Sequence, residues 1–369
     1  MSREADDALA PDREPGCPHP SAAPRLLGQA RAEAAFLSAW GAGRLAQAWL
    51  LTGPRGVGKA TLAYRAARAL IAEAQAPASL EPPEGCPVMR RIRAGSEARL
   101  RVLRRAPDPA ERKPTRVRTV IDAAQAREIS TFLAHAAPDG GRRAVIVDAV
   151  DDCSVQAANA LLKVVEEPPA DTVFLLVCQR PGGLLPTIRS RCRPLALAPL
   201  GPADLAAAAE ASGNPVENAG GLAELAAGSV GLAVALASSG GLALYEQLCG
   251  LLSADLAVDR RRLLALAGSL GGRANETRYA RALELGPILL TRLARAAVGD
   301  APPPACRAEA RLMRALDGRP RLGPALAEAA AAMQARGAHA RGVNLDPART
   351  VIDSWADAGA RLAVPAAAP

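Results

Sequence analysis

Apolar runs and helical periodicities alternate through the first half of the chain. Ala48-Trp49-Leu50-Leu51 is a short continuous apolar run, Ala144-Val145-Ile146-Val147 is a second that ends in Asp148, and D-T-V-F-L-L-V-C over 171–178 is a third. Each has the length and continuity of a strand buried on both faces. Val117 to Ile121 is a weaker strand candidate. Between them lie helical patterns over Leu26 to Trp40, Lys59 to Ala72 and Gln125 to Ala136. Another starts at Ser154, a natural N-cap, and stops at Pro168-Pro169. In that helix Val155, Ala158, Leu162 and Val165 fall at heptad spacing, which predicts one buried face. Pro77 to Pro87 is rich in breakers, and Pro138-Asp139-Gly140-Gly141 is a turn. Strands alternating with helices predict a mostly parallel sheet covered on both faces. From Gly201 onward only alanine- and leucine-rich helices are expected, with seams at 238–241, 299–304 and 318–324. Asp346 caps the last helix and Pro347 opens its first turn.

Composition sharpens this picture. Half of the 369 residues are hydrophobic but only 2% are aromatic, so the core is built from Ala, Leu and Val, which suits closely packed helices. No apolar run reaches the roughly 18 residues of a membrane span. Residues 1–24 are polar, with four prolines by Pro20, and are expected to be a disordered leader rather than a secretion signal. The seven cysteines are scattered with no C-x2-C pair, which argues against zinc modules and disulfide frameworks and for a cytoplasmic chain with reduced thiols. The net charge of +8 is concentrated: eleven Lys or Arg against three acids lie between Arg90 and Arg118, and the rest carries 34 of each sign. Such a patch suits a polyanion, an acidic partner or a solvated insertion equally well.

The candidate chemistry sits at Gly53-Pro54-Arg55-Gly56-Val57-Gly58-Lys59-Ala60-Thr61. Strand, glycine-rich turn and helix make the context of a phosphate-binding loop, in which backbone N–H groups, a lysine and a helix N-terminus converge on an anion. The position after Lys59 requires Ser or Thr to ligate Mg²⁺, and here it is Ala60. Thr61 is one residue too late, about 100° round the helix. Asp148, at the end of an apolar strand, stands where a nucleotide-bound Mg²⁺ is usually met.

At Ala158-Asn159-Ala160-Leu161-Leu162-Lys163-Val164-Val165-Glu166-Glu167-Pro168-Pro169, followed by F-L-L-V-C and by Ser190-Arg191-Cys192, the chain resembles the bacterial clamp-loader subunits of DNA polymerase III. It is more similar to the δ′ type than to the γ/τ motor type. The likeness runs from about Arg25 to Arg193; Asn344-Leu345-Asp346-Pro347 is a weaker match to the start of the family's final helix. It implies an α/β P-loop AAA+ domain with a mostly parallel sheet over 25–198, a small helical lid over 199–241, and an all-α collar domain over 242–369 that builds a five-subunit ring. It also implies partners: γ/τ and δ subunits, the sliding clamp and primed DNA, with no membrane. The nucleotide would be ATP or ADP, held by Gly53, Arg55, Gly56, Gly58, Lys59, Thr61 and Asp148.

Departures from an active motor are as informative. Ala60 replaces the metal-ligating hydroxyl, and Ala149 replaces the acid that positions water beside Asp148. The lid's sensor arginine would fall near 228–233, where the residues are G-S-V-G-L-A, and the sensor at the end of the third strand falls near Cys178-Gln179. The Ser190-Arg191-Cys192 motif survives, and its arginine would serve as a finger in a neighbour's ATP site. Many relatives carry a four-cysteine zinc module after the P-loop helix; here that region keeps only Cys86, so no zinc is expected. The expected function is thus a δ′-like subunit of the DNA polymerase III clamp loader, inactive as an ATPase itself. A γ/τ-like motor is the alternative, and a P-loop regulator unrelated to replication is a third reading.

Overall fold

The computed structural model describes residues 13, 14, 16–73, 75–107, 117–135, 140–343 and 345–363. Contacts divide the chain into two units, one of residues 1–216 with 227–234, the other of 217–226 with 235–369. The stretch 199–241 is therefore shared between the two.

The first unit is built on five strands: β1 Ala48–Thr52, β2 Leu100–Arg104, β3 Arg143–Asp148, β4 Thr172–Cys178 and β5 Arg193–Ala196. Their order across the sheet is β2-β3-β4-β1-β5, and every pairing is parallel. The helices are α1 Ala30–Gly41, α2 Lys59–Ala72, α3 Pro87–Arg93, α4 Ala123–Ala134, α5 Val155–Glu166, α6 Pro186–Arg191 and α7 Pro202–Ala211. The three runs read as buried strands are β1, β3 and β4, and β4 is buried along its whole length. Leu50, Val145, Val147, Phe174 and Leu176 form the centre of one core, over which Ile129 of α4 and Leu161 of α5 pack. Trp49 packs on Phe36 at 5.0 Å, and the Arg193 guanidinium lies 5.0 Å from the Trp49 ring.

Four expectations need correction. Residues 117–121 form no strand: Val117 and Ile121 make isolated bridges to Pro107 and Cys153. The missing strand is β2, inside the basic stretch. As an edge strand it buries only Leu103 fully, so its apolar signal is weak. The other edge, β5, contains Pro194, which is tolerated because only one side of that strand is paired. In α5 the buried residues are Ala157, Ala158, Leu161 and Val165, while Val155 is 63% exposed. The stripe is centred nearer Leu161 than Leu162, because a straight helix follows a 3.6-residue period rather than a heptad.

The leader is the fourth correction. Residues 1–12 and 15 lie outside the described residues, but the remainder up to 24 is placed. A 3-10 turn over Pro20–Ala22 is capped by His19, Arg13 donates to the Cys17 carbonyl, and His19 packs edge-on against Tyr64 of α2. Of the turn expected over 138–141, only Gly140 and Gly141 are described.

The second unit is helical: α8 Ala219–Leu225, the C-terminal part of α9 Val230–Ser238, α10 Gly241–Cys249, α11 Arg260–Gly268, α12 Glu276–Ala297, α13 Arg307–Ala315, α14 Leu322–Val343 and α15 Pro347–Ala363. Asp346 caps α15 through the Arg349 N–H at 2.8 Å. A charged cluster is sealed into this unit. Glu309, with no exposed surface, accepts from Tyr245 Oη (2.8 Å), Arg292 Nε (2.7 Å) and the Ala305 N–H (2.7 Å). No single described helix is long and apolar enough to cross a membrane.

Candidate functional site

The loop between β1 and α2 is shaped by glycines at positive φ. Gly58, at φ +101°, is the N-cap of α2. Gly56 sits at φ +79°, and its carbonyl accepts from the Val230 N–H at 3.2 Å. A Cβ at Gly56 would collide with the Ser229 hydroxyl, so only glycine lets the loop lie this close to the 228–231 segment. Gln29 ties the loop down from below. Its side-chain amide is buried, donates to the Val57 carbonyl (3.1 Å) and the Ala198 carbonyl (2.8 Å), and accepts from the Ala198 N–H (3.2 Å).

A cavity opens on this loop. Its wall includes Arg55, Gly56, Gly58, Lys59, Thr61 and Asp148, so six of the seven nucleotide-site candidates converge there. Gly53 contributes from the end of β1, where its carbonyl and that of Pro54 accept from Lys59 Nζ at 2.7 and 2.5 Å. Lys59 is only 4% exposed. Burial pushes its ammonium below the ordinary lysine range, and the nearby Asp148 and Asp151 carboxylates oppose that shift. Leu26, Leu27, Leu200 and Val230 form an apolar part of the same wall, a surface suited to a planar base beside a polar loop suited to phosphate.

Among the described residues, two positions beside this loop carry no group for a metal or a water. Ala60 puts a methyl where the metal-ligating hydroxyl belongs, and Thr61 lies on the next position of the helix. Ala149 follows Asp148 and is buried. Asp151 is the next carboxylate along the chain, but it already accepts from the Gln179 N–H (3.0 Å) and pairs with Arg180 Nε (3.3 Å). Cys178 ends β4 with its thiol pushed up to about 11, first by burial and then by Asp151, so it is a neutral, weak donor at pH 7. Among the described residues no cluster of three or more His, Cys, Asp or Glu is placed to hold a metal ion.

Two segments distant in sequence from the loop complete this cavity. Val230 and Gly231 line it, in the segment where a sensor arginine was expected. The leader reaches it as well: Glu14 lines the wall and its carboxylate pairs with Arg55 Nε at 2.5 Å. Nothing in a polar, proline-rich leader signals that contact, because its partner lies 41 residues away.

Arg191 is elsewhere. It is the last residue of α6, exposed, and not part of the cavity wall. Its neighbours Ile188 (1% exposed) and Cys192 (7%) are buried, which seats the short helix while its terminal arginine stays at the surface. Burial raises the Cys192 thiol to about 11.

Comparisons with known proteins converge on one group. Residues 28–201 match the profile of the family described as DNA polymerase III, delta subunit. The chain is 42% identical over 147 residues to DNA polymerase III subunit delta′ of Pseudomonas aeruginosa, covering 40% of this chain and 42% of that protein. It is 34% identical over 165 residues to the subunit delta′ of Escherichia coli, covering 44% and 46%. To the subunit gamma/tau of Mycobacterium bovis it is 31% identical over 172 residues, covering 47% and 28%. The chain thus spans less than half the length of the curated relatives it matches.

Proposed function

We propose, from the likeness of residues 28–201 to δ′ subunits of DNA polymerase III, that this chain is the δ′ subunit of a bacterial clamp loader. In that role it helps load the sliding clamp onto primed DNA, beside γ/τ and δ subunits, in the cytoplasm. Residues 199–241 would act as the lid and 242–369 as the collar that joins the ring. The P-loop would hold ATP or ADP through the loop amides, Lys59 and Thr61 without turning it over. Arg191 would reach the γ-phosphate of a neighbouring subunit's ATP and offset charge that grows in the transition state.

The observation that carries this reading is a mismatch within one domain. The loop cavity lacks a metal-ligating hydroxyl and a base, while Arg191 stands exposed on α6, outside that cavity. A finger has no use at a site that cannot fire, so its customer is a neighbour. The likeness to a γ/τ subunit keeps a motor as the second reading; Ala60 and Ala149 count against it.

Arg191→Ala in the reconstituted loader is the direct test. Clamp-stimulated ATP hydrolysis should fall without vanishing, since other interfaces keep their own fingers, and gel filtration should show an intact complex. Arg191→Lys should recover little, because an ammonium cannot reproduce the planar fork. Wild-type turnover by an assembled Arg191→Ala complex would defeat the assignment.

A further inference from the structure

We infer that Glu166 is a positioning residue for Arg191, holding the guanidinium ready for a neighbouring subunit's phosphate; this rests on the finger reading above. Arg191 Nη2 lies 2.8 Å from Glu166 Oε1. On the other side, Arg191 Nη1 donates to the Thr187 carbonyl at 3.1 Å and lies 3.5 Å from Ser190 Oγ. The guanidinium is therefore gripped at both terminal nitrogens. Nε–H and the second Nη2–H have no partner among the described residues, and an arginine edge of that kind suits a phosphate.

The placement of Glu166 is unusual by helix rules. It is the last residue of α5 and is followed by Glu167, so two carboxylates sit at the negative end of the helix dipole, where cations are favoured. A guanidinium against that end compensates the dipole and the carboxylate together. Both supports are rigid. Val165, one residue before Glu166, is buried, Pro168-Pro169 follow, and the Thr172 N–H closes a turn on the Pro169 carbonyl at 3.2 Å. On the arginine side Ile188 and Cys192 anchor α6. The two side chains themselves are 41% and 36% exposed. An ion pair so exposed contributes little to folding. What it does supply is restriction of a long, flexible side chain before the transition state forms.

The test uses the reconstituted loader with Glu166→Gln, Arg191→Ala and the double variant, read by steady-state ATP hydrolysis. Glu166→Gln keeps the shape and removes the charge. Its kcat should fall about threefold to tenfold at the served site, the factor expected when one arginine must be ordered during reaction. KM for ATP, assembly and the melting temperature should stay as in the wild type. On the Arg191→Ala background Glu166→Gln should cost nothing more, and Glu166→Asp should recover part of the rate. Wild-type or faster turnover by Glu166→Gln, while Arg191→Ala is slow, overturns the inference and leaves the finger standing. A further loss added to that of Arg191→Ala also overturns it. Wild-type turnover by Arg191→Ala removes the finger reading, and this inference with it.

Discussion

Glu309 and Lys59 are both buried charges, met by different means. Glu309 has a buried cation, a phenol and a backbone amide, and Arg292 Nη2 also reaches the Pro303 carbonyl at 2.5 Å. Tyr245 is raised well above its ordinary value, first by burial and then by the Glu309 carboxylate, so it stays a donor across the working pH range. Removing one member of such a cluster strands the others. Glu309→Leu should therefore destabilise the chain by about 3–5 kcal/mol, read from denaturant unfolding, because Arg292 is left buried without its counter-charge. A loss below about 1 kcal/mol would mean that Glu224, 3.4 Å from Arg292 Nη1, takes over the charge. Lys59, by contrast, donates to two carbonyls of its own loop, with the Asp148 and Asp151 carboxylates acting on it through charge. Its ammonium stays available for an anion that displaces those carbonyls.

At the scale of elements, α4 shows how one residue sets a helix start. Asp122 accepts from the Gln125 N–H at 2.9 Å while the Gln125 side chain takes the Asp122 N–H, a reciprocal capping box. The Gln125 N–H, foremost, holds the Asp122 carboxyl below its usual value, with Arg118 adding to the effect. A depressed carboxylate contributes stability that is fully present above its unfolded value, near ~3.9, and is lost as pH falls through the lower folded value. Asp122→Ala should cost about 1 kcal/mol at pH 7. The gap from the wild type should close on acidification through that window, as thermal melts at a series of pH values would record. A gap that persists below pH 2 would place the effect outside the carboxylate. This helix was legible in the chain from Gln125 onward, but its cap was not, because the 117–121 run just before Asp122 reads as a strand. What the run does instead is bridge to Cys153 and lead into the cap.

On the scale of the whole molecule, charge and chemistry redistribute on folding. The stretch 90–118 looks like a polycation in sequence, yet several of its described arginines meet acids, some inside the stretch and some beyond it. Arg101 pairs with Glu128, Arg105 with Asp152 at 3.3 Å, and Arg99 with Glu97 at 3.6 Å. Arginines already neutralised in this way release few counterions on meeting DNA. Replacing Arg99, Arg101, Arg104 and Arg105 with Gln should leave the salt dependence of loader–DNA affinity within about one unit of slope. A slope flatter by three or four units would put this edge strand on a phosphate backbone. The isolated chain, lacking a metal-ligating hydroxyl and a base at its own loop, should show no ATP turnover above background. Turnover abolished by Lys59→Ala would restore the motor reading.

The chain by itself determines its α/β half through local physics: continuous apolar runs of strand length between breakers, a G-x4-G-K turn between strand and helix, and Pro168-Pro169 ending α5. It also determines the chemical gaps, since Ala60 and Ala149 lack the needed atoms in any fold. Only tertiary structure decides which weak segments become edges. L-R-V-L-R and R-P-L-A acquire strand character from a parallel neighbour on one side, and neither carries enough apolar pattern to announce it. The same holds for Gln29 under the loop, Glu14 on Arg55 and Glu166 against Arg191. Each contact joins residues far apart in sequence and relies on polar atoms brought within about 3 Å. No periodicity encodes such distances; they exist once the sheet and its helices have fixed the surfaces on which those side chains meet.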